Sequence, residues 1–165
     1  MTANINFINL RSAQRSIVHE STWMGGELEG LSDGEGDEHP HIVEARRLVG
    51  RLNRAGHEYI HREFLALKEF AIAERSVPTY SGPDPRLIVK RLLNGLHATV
   101  TPIDGLIRRL GQTSTDTQLS MILRAGMVGI LRSIDSIAEE LEPLLTGQAE
   151  VPAGEDFGIY DPGTD

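Results

Sequence analysis

Between His41 and Arg75 the apolar residues Ile42, Ala45, Leu48, Val49, Leu52, Ala55, Tyr59, Ile60, Leu67, Phe70 and Ala71 recur at spacings of mostly three and four. With about 3.6 residues per turn, that period gathers them on one face of a helix. Arg46, Arg47, Arg54, Arg62, Glu58 and Glu69 fall largely off that stripe. A helix of this kind cannot stand alone in water, because its apolar face needs other apolar faces to cover it. Pro40 suits its start, and Pro78 with the Ser81–Pro85 run suits its end. Gly50 and Gly56 are its weak points. Each costs about 1 kcal/mol relative to Ala, so a bend or a close helix contact is expected at one of them.

Two further stripes supply the covering faces. Asp84 can cap and Pro85 can open a helix carrying Leu87, Ile88, Leu92, Leu93, Leu96, Val100, Ile103, Leu106, Ile107 and Leu110. Thr101-Pro102 lies midway, where the helix either kinks or restarts. A last helix is expected from about Asp116 to Leu141, with Leu119, Ile122, Leu123, Met127, Ile130, Leu131, Ile134, Ile137, Ala138 and Leu141 inward. Beside that stripe runs a seam of Gly126, Gly129, Ser133 and Ser136, suited to close approach of another backbone. Pro143 is expected to end or kink this helix.

The N-terminal residues 1–10 read as a short strand or an extended apolar arm. A short helix is expected from Ser12, as cap, to Met24, stopped by Gly25-Gly26, with Trp23 as a core anchor. The fold class is therefore all-α: a helical bundle of three long helices plus a short N-terminal helix, an acidic Gly-rich loop and an extended acidic C-terminal tail. The corresponding segments are an arm and short helix (1–24), the loop (25–40), the bundle (41–146) and the tail (147–165).

Charge is unevenly distributed along the chain. Residues 1–39 carry a net −5, residues 40–132 a net +6, and residues 133–165, with no base at all, a net −9. A basic middle is thus flanked by acidic ends. Phe157, Ile159 and Tyr160 sit among the acids of the last segment. Apolar residues spaced in that way suit docking on a basic, grooved surface, which would use Arg46, Arg47, Arg54, Arg91, Arg108 and Arg109. The absence of cysteine removes disulfides, thiolate ligands and cysteine nucleophiles, and suits a reducing compartment. No apolar run approaches a membrane span, and no secretory signal pattern opens the chain, so a cytoplasmic place, or one in a cytoplasmically assembled particle, is expected.

One catalytic spacing occurs. His57-Glu58-Tyr59-Ile60-His61 puts two imidazoles four residues apart, where they can share a zinc ion while Glu58 activates a bound water. A third ligand is required, for which His97, Asp104 and Glu74 are candidates. Against this, the pair falls off the apolar stripe, on the side shared by the cationic Arg47 and Arg54. Asp33, Glu35, Asp37 and Glu44 have the oxygen spacing of a calcium loop, but Glu38 stands where that loop needs glycine.

Three functions follow as expectations. The first is a non-enzymatic assembly or adaptor subunit joining protein partners or copies of itself, with no cofactor. The second is a zinc-dependent hydrolase using His57, Glu58 and His61. The third is a nucleic-acid-binding helical protein, disfavoured by the net charge of −8 and the lack of a basic recognition helix.

Overall fold

Residues 3–31, 40–75, 84–111, 117–146 and 149–150 are described by a computed structural model. The described chain is helical apart from one small strand pair. β1 is Ala3–Asn4, α1 Phe7–Glu29, α2 Pro40–Arg54, α3 Ile60–Arg75, α4 Pro85–Gly111, α5 Thr117–Leu145 and β2 Ala149–Glu150. Between α2 and α3 the helix passes without a break through a π turn, Ala55–Tyr59. The described residues therefore form an all-α bundle of four rods.

The rods form where their stripes meet. α1 lies along α5 and α2, and α4 packs on α5, α2 and α3. Leu10, Ile17, Leu28, Leu52, Phe64, Ile88, Leu96, Ile103, Ile130 and Leu141 lie in the resulting core, each almost fully removed from water. Burial on that scale is worth about 1.5–3 kcal/mol per large side chain. β1 pairs in parallel with β2, Ala3 opposite Ala149 and Asn4 opposite Glu150. This ties residues 149–150 to the chain just ahead of α1.

The N-terminal helix is not short. It starts at Phe7, with Asn6 as its cap accepting from the Ile8 and Asn9 N–H groups at 3.0 and 3.2 Å. Ser12 is already inside it. It also continues through Gly25 and Gly26 to Glu29. Two long-range contacts offset the glycine cost: Leu28 is buried in the core, and Arg46 of α2 donates Nε and Nη2 to the Leu28 carbonyl at 3.3 and 3.0 Å. That guanidinium supplies a carbonyl at the helix end with donors.

Trp23 is not a core anchor; it is 41 % exposed. The inward position belongs to Met24, whose side chain fills the space over Gly126, and Trp23 lies about 100° further round the helix. Leu131 and Leu87, expected inward, are 44 % and 57 % exposed. Ile130 and Ile134 take the inward line of α5, and Ile88 that of α4.

The small-residue seam of α5 receives α1. A side chain at Gly126 would collide with Met24, and one at Gly129 would stand 3.0 Å from Glu20 Cγ. Asn9 Nδ2 donates to Glu140 Oε1 at 3.0 Å further along, so the two helices run antiparallel. The Thr101-Pro102 step does not restart α4, which continues to Gly111 with Pro102 inside it. α5 likewise runs two residues past Pro143. Residues 112–116, most of the acidic loop, and the tail beyond Glu150 lie outside the described residues.

Candidate functional site

The π turn is where the long helix departs from regular geometry. The Ile60 N–H reaches back to the Ala55 carbonyl, five residues away. Gly56 is buried against α1, where a Cβ would stand 3.0 Å from Val18 Cγ2, and buried Gln14 donates Nε2 to the Gly56 carbonyl at 3.0 Å. This is the close contact expected at one of the two glycines. π turns of this kind often mark functional positions.

The turn presents Tyr59 to α4. Its hydroxyl donates to the Arg91 carbonyl, and its ring covers Gly95 so closely that a Cβ there would lie 2.5 Å from the hydroxyl oxygen. Burial holds the Tyr59 pKa above its ordinary value, and the Glu63 charge adds to this, while Arg91 and Arg62 act against it. The hydroxyl therefore stays a donor at neutral pH.

Beside Tyr59 lies a cleft of about 450 Å³ lined by Arg51, Arg54, Ala55, Glu58, Tyr59, Arg62, Gly95, Ala98 and Thr99. Three guanidinium groups and one carboxylate rim it; its far wall is small and nearly apolar. Pro102 carries no N–H, so the Ala98 carbonyl in that wall lacks its usual backbone donor. The Thr99 hydroxyl donates to the Gly95 carbonyl at 2.8 Å. The chemistry offered is three fixed positive charges against one negative, over a shallow and largely apolar floor, an arrangement suited in sign to an acidic group.

Of the arginines expected to form a basic surface, the structure brings only Arg54 into this cleft. Arg46 caps α1. Arg91 donates Nε and Nη2 to Glu63 at 3.0 and 2.7 Å. Arg109 donates to Glu44 Oε1 at 2.7 Å, and Arg108 pairs with Asp104 one turn away at 2.9 Å. Arg47 is exposed on α2. Arg51, Arg62, Tyr59, Gly95 and Thr99 were missed as lining residues. Arg51 and Arg62 carry no distinguishing pattern in sequence; Gly50 and Gly56 signal an irregular helix, without saying at which of the two.

The metal reading finds no completed site. His57 and His61 are half-buried, Glu58 is exposed on the cleft rim, and His97 is exposed on α4. Among the described residues no group of three His, Asp or Glu is close enough to hold an ion. Asp104 is paired with Arg108. Glu44, the fourth oxygen of the calcium spacing, is helical and bonded to Arg109; Asp33, Glu35 and Asp37 lie outside the described residues. So do Phe157, Ile159 and Tyr160.

No helix among the described residues is long and apolar enough to cross a membrane. No family model, curated protein or solved structure matches the chain.

Proposed function

We propose that the protein is a non-enzymatic assembly or adaptor subunit that joins protein partners or copies of itself through its basic helical body and its acidic, apolar-anchored tail. One observation carries this reading. After Arg46, Arg91 and Arg109 have found acceptors or carboxylates inside the fold, Arg51, Arg54 and Arg62 still converge on one open cleft of a chain whose net charge is −8. Charge of one sign on a body and of the other on an extension favours association of unlike surfaces and steers their encounter. Exposed Met121 and Val128, 65 % and 58 % accessible on α5, and Trp23 on α1 add apolar area of the kind partners cover. A cytoplasmic location, or one in a particle assembled there, belongs to the same proposal.

Sedimentation of the intact chain at low and high salt tests it, with a variant ended after Thr146 alongside. The intact chain should associate at low salt and dissociate as salt rises, and the shortened chain should stay helical and associate less. An assembly mass unchanged by salt and by the truncation contradicts the proposal.

A further inference from the structure

The cleft beside the π turn has a definite charge and shape, and one segment of this sequence is complementary in charge. We infer that the cleft of Arg51, Arg54 and Arg62 receives the acidic segment 151–165 of a second copy of the chain, an inference that rests on the assembly reading above.

The chemistry matches at each level. Glu155, Asp156 and Asp161 flank Phe157, Ile159 and Tyr160. Guanidinium groups hold carboxylates through paired N–H donors in a fixed fork, which favours arginine over lysine on such a rim. Between the arginines, Ala55, Ala98 and the Tyr59 ring that covers Gly95 form a shallow floor against which a Phe157 or Tyr160 ring can lie. A volume of about 450 Å³ takes a few side chains of an extended segment and not a folded surface. Glu58 is the one lining group of the wrong sign, and it weakens the site.

A neighbour's segment is taken as the occupant, in keeping with where the chain is tied. β2 holds Ala149–Glu150 against β1, ahead of α1 and directly after α5. The cleft is lined only by α2, the π turn, α3 and α4, with no residue from α1 or α5. Ala149–Glu150 therefore lie by the α1–α5 layer, while the cleft is lined from the other helices. Handing the segment to a second copy gives a head-to-tail contact, which repeats into a ring or a chain.

The test uses two full-length variants. One reverses the cleft, Arg54→Glu with Arg62→Glu; the other neutralises the segment, Asp156→Asn with Asp161→Asn and Phe157→Ala. All the changed cleft side chains are exposed, and circular dichroism checks that both variants keep the parent's helix content. The expected result is that each variant alone associates at least about 10-fold more weakly than the parent, while their equimolar mixture forms heterodimers that grow no further. Glu58→Gln should strengthen association of the parent. If the cleft variant assembles as the parent does, the cleft inference is overturned and the assembly reading stands. If both variants are monomeric and their mixture is too, the segment docks within its own chain and the inference is overturned. Should the cleft variant keep full assembly but lose salt-sensitive binding of a single-stranded oligonucleotide, the arginines serve nucleic acid instead. An intact chain that never self-associates defeats both this inference and self-assembly as the function.

Discussion

Arg91 of α4 grips Glu63 of α3 with two donors, Nε to Oε1 at 3.0 Å and Nη2 to Oε2 at 2.7 Å, and Glu63 is only 2 % exposed. A carboxylate at that depth persists because it is met by a guanidinium fork. The Arg91 side chain remains half-exposed, so solvent screens part of the attraction. The pair fastens α3 to α4 just beyond the π turn, and the Arg91 carbonyl also accepts from Tyr59. One residue thus anchors both the turn and the helix that follows it.

Arg91→Ala is expected to destabilise the fold by about 1–3 kcal/mol, because it leaves a buried carboxylate without its partner. Glu63→Gln should cost less, since the amide oxygen still accepts from Arg91. Urea unfolding of both single variants checks the order. Equal losses, or none for Arg91→Ala, would show that water satisfies Glu63.

Two glycines make opposite predictions for the same substitution. Gly126→Ala drives a methyl group into Met24 and should cost about 1–3 kcal/mol, recovered in part by Met24→Ala. Gly50→Ala meets nothing within 4 Å and should stabilise α2 by up to about 1 kcal/mol. Thermal unfolding of the three variants decides whether α1 and α5 approach as closely as described.

Tyr59 carries the one pH prediction. Its folded pKa is raised by burial and by Glu63, so the neutral hydroxyl is favoured in the fold. That contribution is fully present below the unfolded tyrosine pKa, about 10, falls as pH rises above it, and is gone once pH has passed the higher folded value. Tyr59→Phe should cost about 1 kcal/mol at neutral pH through the lost hydrogen bond, and should show a smaller drop in stability than the parent between about pH 9 and about pH 12. Parallel slopes for the two proteins would remove Tyr59 as the cause.

Metal analysis bears on the alternative chemistry. Protein purified without chelator is expected to carry well under one zinc per chain, unchanged in a His57→Ala/His61→Ala variant, because two imidazoles hold zinc weakly and no third ligand stands by them among the described residues. Stoichiometric zinc, lost in that variant, would restore the hydrolase reading with Glu58 as its base.

The sequence by itself determined the all-α class and the two helices whose stripes are strongest. Asp84 and Pro85 mark the start of α4 because capping and a preset φ are local effects: Asp84 Oδ1 accepts from the Arg86 N–H at 2.9 Å. Gly50 and Gly56 together marked this helix as irregular at one of two places, and packing against α1 put the irregularity at Gly56. Tertiary structure alone decided how far α1 runs, since Leu28 burial and a donor from Arg46, 18 residues away, outweigh two glycines. It also decided which arginines remain outward. Arg91 and Arg109 meet their carboxylates 28 and 65 positions away, distances at which no local pattern operates. A side chain's periodicity records the face it occupies; its partner is set by which other helix arrives at that face, and only packing of the whole bundle determines that.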